Sequence, residues 1–223
     1  RLIGPQPKWA RSDGGEAGLH PSNLHDNAYA VGSLDFTGDM PVILGTDGPS
    51  LGGFVCPVTI ASGDLWKMGE LKSGDKVRFI PISIENAEAL RERNDGILRN
   101  PAAAASPWKY EVKAPVTPIL AEYDARDAMK KIVVRQDGDE YLLLEFGPEI
   151  IDLRLRFTAH SWMLALKKET EAHIIDLTPG IRSIQIHYDP LKIRQSGMLA
   201  IIARLVKELR ESHITAVPKI GRA

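Results

Sequence analysis

The sequence has a single cysteine, Cys56, among 223 residues. That excludes an internal disulfide framework and fits a reducing compartment, with the cytoplasm as the expected location. No long run of one charge is present: Lys and Arg total 28, Asp and Glu total 29, and the formal net charge is −1. Neither nucleic acid nor a membrane surface is therefore an expected partner. No apolar run approaches the roughly 18 residues of a membrane span, and the first residues carry no secretory pattern. There is no initiator methionine either. Arg1-Leu2-Ile3-Gly4-Pro5 reads as a strand tail entering a turn, so the chain is expected to be cut from a longer one.

What is present is ordinary globular composition, with 43% apolar and 26% charged residues. Residues 1–40 are rich in turn formers. The polar sequence from His20 to Asn27 predicts a hydrogen-bonded loop. His20 and His25 fit none of the tight ligand pairs of zinc sites, and no metal is expected. From Tyr29 to Ile84 short apolar runs (Val42–Leu44, Phe54–Ile60, Val77–Ile82) alternate with Gly, Pro and Asp, which predicts antiparallel strands in a barrel or sandwich. Val77 and Phe79 are placed on one strand face, and Trp66 and Met68 in the core. Ile84–Asn94 predicts a short charged helix closing this unit.

Pro101, Pro107, Pro115 and Pro118 in an Ala-rich setting predict an extended connector. The expected division is 1–94 for a mainly β unit, 95–122 for the linker, 123–212 for a second unit and 213–223 for a tail. In the second unit, Lys131–Arg135 and Tyr141–Phe146 form a hairpin about the turn Asp137-Gly138-Asp139. Leu155, Ala159, Trp162, Met163 and Leu166 recur at helical spacing. Two more strands flank Thr178-Pro179-Gly180, and Met198–Leu209 predicts a second amphipathic helix. The result is an α+β chain whose second unit is a small ferredoxin-like α/β sandwich of two helices on about four strands.

The densest concentration of chemistry lies in Asp35–Val58, where a glycine-rich bend carries Asp47 and Ser50. Gly48-Pro49-Ser50-Leu51-Gly52 matches G-x-S-x-G, but that motif needs a strand-to-helix turn. A strand pattern follows here instead. Phosphate cradling by the glycines fails for the same reason, with no helix N-terminus after them and Lys67 the nearest downstream lysine. Asp47 has two readings. It is either an acceptor for the N–H groups of a small amide or an Asx turn serving its own backbone.

The run Gly32–Val58, with Ser12–Asp26 before it, resembles the carboxyltransferase region of urea carboxylase, the biotin-dependent half of fungal urea amidolyase. Residues 1–90 look like the C-terminal part of its half related to the second component of allophanate hydrolase, a type shared with 5-oxoprolinase. Residues from about 125 to 212 look like the start of the half related to the first component, which 5-oxoprolinase also shares. That second likeness rests on Phe146-Gly147, Asp152-Leu153, Pro179-Gly180-Ile181-Arg182-Ser183 and His187-Tyr188-Asp189-Pro190.

The resemblance implies a cyclophilin-like β-barrel for the first unit and carboxylation of urea to allophanate. Biotin would sit on a carrier domain outside this chain. ATP and Mg would be used in a separate biotin carboxylase domain, and urea and those two domains would be the partners. It implies Asp47 as the catalytic residue, holding urea N–H groups. Asn23, Tyr29, Gly48, Ser50, Gly52 and Gly53 would complete the substrate site. The piece alone would be inactive, and strand edges left open predict self-association. Relatives of the two halves also imply two alternatives: a kinase-regulating interaction module and a 5-oxoprolinase-type amide hydrolase.

Overall fold

The computed structural model describes residues 1–15, 18–102, 108, 112, 117–124, 127 and 130–211. Part of the expected connector (103–107, 109–111 and 113–116) and the whole 213–223 tail lie outside these residues.

In the first unit β1 (Asn23–Ala28) pairs antiparallel with β4 (Leu51–Phe54), and β2 (Leu34–Thr37) with β3 (Met40–Ile43). Backbone hydrogen bonds lash the two ribbons together, among them Leu34 N–H to Val58 O and Phe36 N–H to Val55 O. Among the described residues these strands form two separate ribbons and no closed barrel. The polar Asn23–Asn27 sequence is a strand and not the expected loop. Its polarity hid it, because this strand faces a cleft rather than a core.

The strand expected at Val77–Ile82 is absent. Among the described residues the segment pairs with no strand, and Val77, Phe79 and Ile80 stand exposed. The core placement of Trp66 also fails. Ser62–Glu70 is a 3-10 turn that turns Gly63 against Leu90 and leaves Trp66 62% exposed. Helix α1 (Ile84–Arg99) starts at Ser83, whose hydroxyl accepts from the Asn86 N–H at 3.3 Å, and runs five residues beyond the expected end to stop before Pro101.

In the second unit β5 (Ile119–Tyr123), β6 (Ile132–Gln136), β7 (Tyr141–Phe146), β8 (Ile174–Pro179) and β9 (Ser183–Tyr188) make one antiparallel sheet in the order β5-β6-β7-β9-β8. Helices α2 (Leu153–Leu166) and α3 (Gln195–Glu211) complete the unit. The four-stranded ferredoxin-like sheet expected here is corrected on two counts. The end of the connector supplies β5 as a fifth strand at the edge, straight after Pro118. The unit also opens on successive strands instead of the β-α-β order of that fold.

Period-2 alternation explains the layering. Ile132, Val134, Leu142, Leu144, Phe146, Ile184, Ile186 and Tyr188 point to one face and pack with Leu155, Trp162, Met198 and Ile202 of the helices in one core. The intervening residues point the other way, toward the first unit. Arg135, Leu143, Glu145, Gln185 and His187 are among them.

Candidate functional site

The β6–β7 turn fixes the two units together. Gly138 has φ 79°, which glycine tolerates best, and fits against the Thr59 side chain. Beside it, the buried Asp139 carboxylate accepts from Ser62 N–H (2.8 Å), Ser62 Oγ (2.6 Å) and the Arg91 guanidinium (2.7 Å). Further along, Asp26 Oδ2 accepts from the Ile181 N–H at 2.8 Å and leaves no room for a side chain on Gly180. Among the recesses that the described residues leave between the units, two lie against the polar face of the sheet.

The smaller recess, about 130 Å³, lies between the glycine bend and the sheet. Tyr29, Gly48 and Ser50 line it from the first unit, and Tyr141, Gln185 and His187 from the second. The Tyr29 hydroxyl accepts from the Phe54 N–H at 2.8 Å, and burial pushes its pKa up to about 12, so it stays neutral. His187 stacks on Tyr141 at 4.2 Å, and burial lowers its pKa, favouring neutral imidazole.

Asp47 lies on the exposed bend beside this recess but does not line it. The bend is closed by Gly48 N–H donating to Gly45 O at 3.1 Å. The Asp47 carboxylate takes no hydrogen bond among the described residues, so the Asx turn is not formed there.

The remaining expected residues are elsewhere. Gly52 is small because the Tyr29 ring covers it; a Cβ there would come within 2.5 Å of the ring. Gly53 lets the Leu24 carbonyl approach across the β1–β4 ribbon. Asn23 sits opposite Phe54 at the far end of that ribbon and accepts from the Ser22 hydroxyl.

The larger cleft, about 530 Å³, runs between β1 and the polar sheet face. Its walls carry His25 and Asp26 on β1, Cys56 after β4, and Arg135, Asp137, Glu145 and Arg182 from the second unit. Glu145 is held by Arg135 on one side and Arg182 on the other. Burial and the nearby Asp35 and Asp137 charges push the Cys56 thiol up, leaving it unreactive. Asp137 accepts from Gln185 Nε2 at 2.6 Å and from the Thr59 side chain, and makes no ion pair among the described residues. Burial raises its pKa to about 6.

The sequence pattern marks Asp137 and Asp139 as turn residues only. The usable signal was the second period of the sheet strands, since Arg135, Glu145, Gln185 and His187 alternate with core residues and must face something polar. No group of three or more His, Cys, Asp and Glu among the described residues is arranged to hold a metal ion, and no described helix is long and apolar enough to cross a membrane.

Comparison with known proteins covers both units. The family described as carboxyltransferase domain, subdomain A and B matches residues 1–81, and carboxyltransferase domain, subdomain C and D matches residues 132–220. The chain is 38% identical to urea amidolyase of Saccharomyces cerevisiae over 94% of its length, and spans 12% of that protein. Its structure is similar to that of the K. lactis urea amidolyase, with TM-score 0.87 and 40% identity, covering 95% of this chain and 13% of the other. The Kluyveromyces lactis urea carboxylase gives TM-score 0.84 and 40% identity, covering 95% of this chain and 19% of the other. The chain is thus a small part of the length of the relatives it matches. It belongs to the carboxyltransferase-domain family, with a subdomain A and B portion joined to a subdomain C and D portion.

Proposed function

We propose that this chain is part of the carboxyltransferase domain of a biotin-dependent urea carboxylase, which carboxylates urea to allophanate. The observation that carries the reading is the meeting of two carboxyltransferase-family segments across a walled pair of recesses. The larger cleft has the volume of a small-molecule site. It mixes apolar walls (Leu24, Val55, Leu143) with amide and charged groups, a donor set that suits the ureido ring of biotin. Asn27 and Arg182 would hold that ring, and biotin, when bound, supplies the carboxyl group. Biotin would arrive on a carrier domain outside this chain, charged by a separate biotin carboxylase domain that uses ATP and Mg.

The chain's own residues bind and orient. The smaller recess takes a molecule of urea's size, with Tyr29, Gly48 and Ser50 beside it and Asp47 on the bend above. An ionised carboxylate accepts two N–H groups of urea, and the walls keep water away while the nitrogen reacts. Asn23, Gly52 and Gly53 support this site from the ribbon behind it. The limits 1–94 and 123–212 describe the two functional portions. The cyclophilin-like barrel is completed by strands outside this chain, with Val77–Ile82 regaining a partner there. A cytoplasmic location follows from the same reading. Left open, that segment pairs with a second copy, and the isolated chain self-associates.

In the complete enzyme Asp47→Ala is expected to lower kcat/KM for urea by about 10-fold or more, the scale of a lost charge-assisted hydrogen bond. Wild-type kcat/KM in that variant would remove Asp47 from the site. Cleavage of 5-oxoproline, or tight binding to a kinase without turnover, would replace the reading altogether.

A further inference from the structure

The smaller recess has a second wall, which the glycine bend does not supply. Strands β7, β9 and β8 set it out in rows across the sheet: Tyr141, His187 and Asp176 in one, Leu143, Gln185 and Thr178 in the next. All of these except Leu143 line the recess. His187, stacked on Tyr141 and kept neutral by burial, makes an uncharged face with it. Gln185 is only 3% exposed. It lines the smaller recess but not the larger cleft, so the part of it that stays accessible opens on the recess.

The orientation of the Gln185 amide is set from the other side. Asp137, on the larger cleft, accepts from Gln185 Nε2 at 2.6 Å and from the Thr59 side chain. An ionised carboxylate only accepts, so the nitrogen end of the amide faces Asp137 and the oxygen end turns away from it. Oε1 takes no hydrogen bond among the described residues. A nearly buried acceptor without a donor is unfavourable, and an N–H group held in the recess removes that penalty.

We propose that Gln185 is the second unit's contact to the substrate of the smaller recess, its Oε1 accepting an N–H of a bound urea-type amide, and that Asp137 is the positioning residue that holds Oε1 toward it. This rests on the carboxyltransfer reading above and adds the source of its selectivity. A carboxylate or an ester has no N–H to offer and leaves the acceptor oxygen unpaired, which is how a polar site rejects an analogue. Acetamide, an amide at one end only, presents a methyl group where urea presents its second nitrogen. Urea carries N–H groups at both ends, so it serves Asp47 on the bend and Gln185 on the sheet at once. No proton moves at Gln185; it binds and orients.

Two single variants of the complete enzyme and their combination test this. Gln185→Met keeps length and volume but has no oxygen. It is expected to raise KM for urea about 10-fold or more, with kcat changed less than about 2-fold. Asp137→Asn donates through its own amide, which frees Gln185 to turn over, and a similar rise in KM is expected. The double variant is expected to show no further rise, because Asp137 acts through Gln185. Acetamide as a competitor separates a lost contact from a packing defect. It can turn its one nitrogen to Asp47, so its inhibition constant is expected to stay within about 2-fold in Gln185→Met. A wild-type KM in that variant would overturn the proposal. So would an equal loss of acetamide and urea, or single effects that multiply in the double variant. If the wild-type enzyme shows no urea-dependent carboxylation, the functional reading fails instead. Equilibrium dialysis of carbon-14 urea against wild type and Gln185→Met then still reads the contact, and equal retention overturns it.

Discussion

The two units hold themselves together in different ways. All of the largest fully buried side chains, from Val134 to Val206, belong to the second unit, where they form one core between sheet and helices. The first unit buries Ala28, Tyr29, Ala30, Leu34, Leu44, Ala87 and Leu90, a thin and scattered set. Its order comes from backbone lashing and from the turn that the second unit inserts into it. The difference teaches that the second unit is a scaffold, whereas the first is a surface shaped against it. Sites built between such partners take their rigidity from one side.

The comparison is sharpest at the core. Phe146→Ala is expected to cost about 3–5 kcal/mol, and Leu44→Ala, at the base of the glycine bend, about 1–2 kcal/mol less than that. Chemical denaturation of both variants measures the gap, and equal costs would refute the scaffold view. The next test is the join. Asp139→Ala leaves the Arg91 guanidinium buried without its anion, which is expected to cost about 3 kcal/mol. Limited proteolysis should then cut the first unit while the sheet of the second survives. Cutting spread evenly over both would mean that they unfold as one. The smallest effect belongs to the first unit's own helix. Ser83→Ala removes the cap of α1 and is expected to cost about 1 kcal/mol, read from the denaturation midpoint.

The same contrast decides what the sequence makes legible. In the second unit alternation and helical spacing agree with a dense core, so β6, β7, β8, β9, α2 and α3 are all readable. In the first unit they part company. Asn23–Ala28 is a strand whose polar residues belong to a cleft, and Val77–Phe79 alternates with no strand among the described residues to pair with. Trp66 is apolar yet exposed, since the 3-10 turn that carries it faces outward. Of the expected site, Tyr29, Gly48 and Ser50 share one recess and Asp47 stands beside it. Gly52 and Gly53 are explained by the close approach of Tyr29 and β1. Asp137 escaped because the Asp-Gly-Asp sequence is a complete turn signal in itself, and nothing local tells that the turn is also a plug.

That plug bears on how the chain is made. Ser62 and Arg91 wait for an aspartate that lies 77 and 48 residues further on. On the ribosome the N-terminal portion therefore emerges with its closing piece still unwritten, and it stays unfinished until the β6–β7 hairpin has left the exit tunnel. The later-made half templates the earlier one, so a pause or truncation before Asp139 strands a first half that cannot complete itself.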